Sequence, residues 1–386
     1  MTAHAYLSAS GSHRWLNCTK SPLLEEGFED TTSVFAMEGT LAHEFGELAL
    51  LKGTKKITDV DYDIKKTILM QDELFYEGMI SEVEIYSTYC LEKFNEFKAK
   101  DKQSIMDIEQ RLDYSMYAPK GFGTGDCVIV GDNRIEVIDL KFGKGVEVDP
   151  KENSQLMLYG LGALEAYDFL YDIEEVTLTV AQVRLQGISS WTVSAKDLRE
   201  WGNMVVKPKA RLAFDGKGET NPGDWCMFCK FKGQCKARAD HMANIYKLYK
   251  ERDKETIALE DLAYILDHEK LIQNWLKDIS EYALGLGLAG TKIPGYKVVE
   301  GRSNRKITDG DGLASALIEK GYKADEVYRP QEIKTITALE KLIGKKDFET
   351  YSTGFIEKPE GKPTLVNDTD RRKSIVQTPE DEFDFE

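Results

Sequence analysis

Residues 125–141 read GDCVIVGDNRIEVIDLK, and the fold turns on how this stretch pairs with itself. Val128 and Val130 alternate with Ile129, and Ile135, Val137 and Leu140 occupy a second apolar run. β-Branched residues in short alternating runs suit strands. Gly131-Asp132-Asn133-Arg134 separates the runs, and Asp and Asn tolerate the positive φ of a two-residue type I′ loop. With Asp132-Asn133 as the loop, Gly131 opposes Arg134, and counting outward sets Asp126 opposite Asp139. Directly opposed residues share a face, with Cβ atoms about 5 Å apart. Lys141 follows Asp139 by two and joins that face. A one-residue slip would send Asp139 to the other side, so the register decides whether a site exists.

Two carboxylates held so close repel unless a cation joins them. Mg²⁺ or Mn²⁺ favours oxygen ligands and keeps several waters. Such an ion can activate water and stabilise charge on a phosphodiester. A lysine beside it can orient or help deprotonate that water and neutralise developing charge. The alternative for any Asp-x-Lys is a hairpin end carrying surface charge.

Outward from the hairpin, SASGSHRWLNCTK (8–20) reads as a short capped helix, and MEGTLAHEFGELALLK (37–52) as a helix with Leu41, Phe45, Leu48 and Leu51 at helical spacing. Residues 71–100 read as a long amphipathic helix, IMDIEQRLD (105–113) as a strand and KGFGTGD (120–126) as a bend. Residues 153–170 form an apolar helix and 175–185 another strand, so helices and strands alternate as in an α/β core. Residues 241–286 read as mostly helical, with Leu259, Leu262, Ile265 and Leu266 as one stripe. YKVVEG (296–301) is strand-like, a helix is expected near 311–321, and the stretch after 364 is polar and ends in EDEFDFE.

Gly125-Asp126, Ile138-Asp139-Leu140-Lys141, and Gln155 with Tyr159 on the next helix resemble the PD-(D/E)XK nuclease superfamily. The closest likeness is to its RecB-type exonuclease branch, which has a histidine in an early G-T-x-x-H-E-like motif, matched by Gly39-Thr40-Leu41-Ala42-His43-Glu44. Gly125 stands where the nominal motif has proline. The resemblance covers residues 5–240 and implies a restriction-endonuclease-like core, a mixed sheet flanked by helices. It implies His43, Asp126 and Asp139 as metal ligands, with the Leu140 carbonyl as a further one. It makes Lys141 catalytic, and Gln155 and Tyr159 supports of the site or contacts to the DNA backbone.

Cys226-x2-Cys229-x5-Cys235 lies one ligand short of a tetrahedral thiolate site, and Cys18 is the candidate fourth. That arrangement resembles the [4Fe–4S] staple of AddB-type nucleases and of CRISPR adaptation nucleases. Zinc on the same cysteines is the alternative. Either group would close a very long loop and turn binding into folding energy. Cys90 and Cys127 read as buried thiols.

The chain has 386 residues, 31% of them charged, with a formal net charge of −16. A nucleic-acid protein ordinarily leaves a basic footprint. Here basic residues concentrate at Lys207, Lys209, Arg211, Lys217, Lys230, Lys232, Lys236 and Arg238. No run of about twenty apolar residues suggests a membrane span, and the start MTAHAYLSASGSHRW does not read as a secretory signal, so the cytoplasm is the expected compartment. No phosphate-loop or dinucleotide fingerprint is present. These observations give an expected division into a nuclease domain (1–240), a helical or α+β region (241–363) and a flexible acidic tail (364–386). The expected function is Mg²⁺- or Mn²⁺-dependent hydrolysis of DNA, as an exonuclease in recombination, repair or replication, with phage origin suggested by analogy. A non-catalytic DNA-binding module and a redox or zinc-binding interaction protein are the rival readings. The acidic and aromatic tail superficially resembles the tips of single-strand-binding proteins, which suggests a single-strand-binding or recombination partner; a solvated end is the alternative.

Overall fold

A computed structural model describes residues 5–29, 33–145, 147–185, 187–250 and 257–299, with scattered positions beyond. Contacts divide the chain into Met1–Val299 and Glu300–Glu386. Only the first unit is described in detail below. Of the helix expected near 311–321 only residues 312, 318 and 319 are described, each as helix, and the acidic tail falls outside the described residues.

Helices α1 (Ser12–Asn17), α2 (Ser21–Glu25), α3 (Val34–Gly53), α4 (Asp59–Leu69) and α5 (Gly78–Lys100) precede the sheet. The expected single helix over 8–20 is broken at Cys18-Thr19-Lys20, and Pro22 opens the second piece, where proline's missing N–H is harmless. Ser33 caps α3 by accepting the Ala36 N–H at 3.2 Å. The helix expected from residue 71 starts only at Gly78, because Asp72 Oδ1 takes the Leu74 N–H at 2.8 Å and holds a turn there.

Strands β1 (Ile105–Asp113), β2 (Phe122–Gly131), β3 (Arg134–Leu140), β4 (Glu175–Gln182) and β5 (Gly187–Ser194) form one sheet in sequence order. Neighbours are antiparallel except β3 and β4, which are parallel. A parallel pair needs a crossover, and α6 (Ser154–Tyr171) supplies it. The protein is therefore α/β, with a mixed five-stranded sheet flanked by helices. The glycine-rich bend expected at 120–126 is instead the start of β2, and the chain turns before it, at Tyr114–Gly121. β4 ends at Gln182 and gives way to a 3₁₀ turn over Val183–Leu185. β5 is a half-exposed edge strand without clear alternation, which explains why its sequence gave no strand signal.

Beyond the sheet come α7 (Ala195–Trp201), a π-helical turn over Gly202–Val206, α8 (Lys207–Phe214), α9 (Lys236–Lys250) and α10 (Leu259–Leu288). The stripe expected on α10 is not core: Leu259, Leu262 and Leu266 are exposed, and the buried residue of that helix is Asp278. Residues 296–299 are not in a strand. Among the described residues no helix is long and apolar enough to cross a membrane.

Two cores sit on opposite faces of the sheet. Val128, Val130, Ile135, Val137 and Leu178 pack with Leu156 and Leu161 of α6 and with Trp15 and Leu16 of α1. Cys127, Ile129, Ile138 and Leu140 pack with Leu41 and Phe45 of α3 and with Val83, Tyr86 and Cys90 of α5. The candidate site residues gather around Asp126, midway along β2, and Asp139, near the end of β3.

Candidate metal centre and cysteine cavity

The β2–β3 hairpin has the expected register, with Gly131 opposite Arg134 and Cys127 opposite Ile138. Asp132 and Asn133 take φ of 53° and 58°, the left-handed pair that a type I′ loop requires. Continuing the count brings Asp126 level with Asp139, but the two carboxylates do not meet the same partners.

The reason lies in the pleat. On β1, Ile108 packs on the α3–α5 side, yet Leu112 packs on the α6 side, a change of parity over an even interval. Glu109 sits between them with φ 50°, left-handed and unusual for glutamate. The β1–β2 ladder skips Glu109 and resumes in the same register on either side, which leaves Glu109 facing Asp126. β2 breaks alternation at the same level. A Cβ on Gly123 would meet Tyr159 of α6 and one on Gly125 would meet Val128, whereas Cys127 and Ile129 belong to the α3–α5 core.

At this kink His43 of α3 donates from Nδ1 to Asp126 Oδ1 at 3.1 Å, and the Leu140 N–H donates to Asp126 Oδ2 at 2.7 Å. His43, Glu109 and Asp126 each offer a ligand atom within 4.8 Å of the others. Asp139 is not part of that trio. Gln155 donates from Nε2 to Asp139 Oδ1 at 3.3 Å and to the Tyr159 hydroxyl at 3.2 Å. Lys141 donates from Nζ to Gln155 Oε1 at 3.3 Å. The Lys141 ammonium pairs with the buried Asp139 Oδ2 at 2.8 Å. Glu109 went unread in the sequence because the β1–β2 connection gave no register, and no residue type announces a left-handed glutamate.

The electrostatics of the trio favour a cation. Burial, the Asp126 charge and neighbouring carboxylates push Glu109 up to about 7 from 4.5. Burial alone would lower His43, but the charge and hydrogen bond of Asp126 outweigh it and raise the imidazole to about 9. The site thus takes up protons where it lacks another positive charge. Burial raises Asp139, against the pull of Lys141. Burial would lower Lys141, yet the Asp139 charge and hydrogen bond hold it above its ordinary value.

Cys18, Cys226, Cys229 and Cys235 line one cavity, although about two hundred residues separate the first from the rest. The Asn221 N–H points at Cys18 Sγ at 3.5 Å and the Gly223 N–H at Cys226 Sγ at 3.5 Å. Among the described residues no three of these cysteines bring their sulfurs within 4.8 Å of one another. Burial pushes Cys229 up to about 12 and raises Cys226 as well. Cys90 and Cys127 are buried on the α3–α5 side, away from this cavity. Part of the basic segment is already paired: Arg211 with Asp215, Lys236 with Asp240, and Lys232 and Arg238 with Asp278.

A family model described as "Protein of unknown function (DUF2800)" matches residues 4–373. The chain belongs to that family. A solved structure named "Crystal structure of SSO0001" is similar at 13% identity, over 58% of this chain and 96% of that one, with a TM-score of 0.22. A likeness at that level carries no weight for fold or function.

Proposed function

We propose that this DUF2800 chain is a divalent-metal-dependent deoxyribonuclease of the PD-(D/E)XK type, acting as an exonuclease in recombination, repair or replication. The observation that carries the reading is the convergence of His43, Glu109 and Asp126 beside the Asp139–Lys141–Gln155 chain. One imidazole and two carboxylates within reach of one another form a donor set suited to Mg²⁺ or Mn²⁺. Such an ion supplies Lewis acidity and a lowered pKa for attacking water. His43, Glu109 and Asp126 would hold it, with the Leu140 carbonyl as a further ligand.

The chain's own residues do the rest. Lys141, charged and held by Asp139 and Gln155, offers its ammonium to the charge developing on a phosphodiester. Asp139 fixes the lysine through Oδ2. Gln155 and Tyr159, one turn apart on α6, lock the Asp139 carboxylate. The Leu140 N–H and His43 fix the two oxygens of Asp126.

Four cysteines round one cavity are the donor set of a structural metal group. By the resemblance the group held there is a [4Fe–4S] cluster, with zinc on the same cysteines as the alternative.

The test is cleavage of end-labelled single- and double-stranded DNA by anaerobically purified protein with Mg²⁺, Mn²⁺ or EDTA. Metal-dependent cleavage, abolished in Lys141→Ala, is expected. Tight DNA binding by folded, metal-loaded protein without cleavage would replace the nuclease with a binding module.

A further inference from the structure

The wall of the cysteine cavity holds another charged group. Arg238, in the first turn of α9, lines that cavity with the four cysteines. It is 1% exposed, and its Nε has no hydrogen-bond partner. Its guanidinium donates to Asp278 Oδ2 at 2.6 Å and to the Lys232 carbonyl at 3.3 Å. Lys232 also lines the cavity, and its ammonium stands 3.0 Å from Asp278 Oδ1. Two cations therefore share one carboxylate. That leaves more positive than negative charge at the wall; Lys232 is partly in solvent, so the buried positive group is Arg238. Four thiolates on a metal group have the opposite imbalance: they exceed the charge of a divalent ion by about two.

The same loop seats α10. A Cβ on Gly233, between Cys229 and Cys235, would lie 2.8 Å from Tyr282 Cβ and 3.1 Å from the Asp278 carbonyl oxygen. The Tyr282 hydroxyl donates to Gln234 Oε1 at 2.9 Å. Lys232, Gly233 and Gln234 thus meet Asp278 and Tyr282, which stand one turn apart on α10. Asp278 is 7% exposed on a helix whose other described residues are not buried.

We infer that Arg238 is the counter-charge of the group held by the four cysteines, and that through Asp278 it makes the docking of α10 depend on that group. The inference rests on the reading of these cysteines as ligands. When the group is present, its negative charge balances the wall and fixes the cysteine loop on which α10 sits. When it is removed, the excess charge faces a hollow and the loop loses its anchor, so α10 lifts away. Arg238 is a positioning residue in this account and touches no substrate.

The experiment uses full-length protein purified anaerobically. Iron and zinc per chain, the rate of metal loss to a chelator, and hydrogen exchange across Leu259–Leu288 are measured in wild type, Arg238→Gln, Arg238→Lys and Asp278→Asn. Stripping the wild type should raise exchange in α10. Arg238→Gln should lose metal tenfold faster or more, and Arg238→Lys, which keeps the charge, should lie between it and wild type. Asp278→Asn should loosen α10 while keeping the metal. Equal metal loss in wild type and Arg238→Gln, or unchanged α10 protection on stripping, would overturn the inference. Should Arg238→Gln fail to fold, the stripped wild type and Arg238→Lys still decide it. Wild-type protein holding neither iron nor zinc would instead overturn the cysteine reading beneath it.

Discussion

Glu109 keeps a backbone conformation that costs an ordinary residue of order 1 kcal/mol or more, and it faces Asp126 across the strand pair. Burial and like charge together give Glu109 a pH dependence. A carboxylate raised from 4.5 to about 7 contributes its stability in full below pH 4.5 and loses it as pH rises through about 7. His43, raised from 6.5 to about 9, contributes below 6.5 and loses that stability as pH rises through about 9. From about pH 5 to about pH 8 the thermal midpoint of metal-free wild type should therefore fall further than that of Glu109→Gln, which removes the lower step. Mn²⁺ should restore the wild type and do little for the variant. Equal pH slopes in calorimetry would show that Glu109 is not coupled to the site. At saturating DNA, Gln155→Ala should reduce cleavage by about tenfold to a hundredfold, as loss of a supporting hydrogen bond does. Unchanged kcat would remove Gln155 from the site.

Among the elements, the hairpin was the most legible part of the chain. Its turn chemistry, β-branched runs and apolar alternation agree with one another, and the register followed from the two residues Asp132 and Asn133. Asn133→Val should destabilise the protein by about 1–2 kcal/mol, because a β-branched side chain resists φ of 58°. Asn133→Gly should be close to neutral, and urea midpoints measure both. The face argument drawn from the same hairpin was incomplete. Alternation fails at Asp126 because β1 and β2 kink together there, and a kink shared by two strands has no mark in either sequence alone. β5 was illegible for a different reason: an edge strand with one solvated face and Ser, Thr and Gly along it carries no period. α10 misled in the opposite sense, since its leucines suggested a core face and its buried contact is instead an aspartate.

At the level of the molecule, residues far apart in the chain come together at the His43–Glu109–Asp126 trio and at the cysteine cavity. Arg14 ties α1 to the cysteine segment as well, donating to Glu25 at 3.0 Å and to the Phe228 carbonyl at 2.9 Å. The lone Cys18 could be matched to the later cysteines only through a family resemblance, because spacing in one chain cannot pair residues so distant. Cys229→Ala should abolish retention of the metal group and lower the thermal midpoint by roughly 5 °C or more, as loss of a long-range crosslink worth about 2–4 kcal/mol would. An unchanged midpoint would make the cavity incidental. The central claim is the trio at the kink, and anomalous diffraction from crystals soaked in Mn²⁺ tests it most directly. The account predicts a manganese peak bonded to His43, Glu109 and Asp126, absent from Asp126→Asn crystals. A site without manganese, or manganese bound elsewhere with the trio untouched, would contradict it.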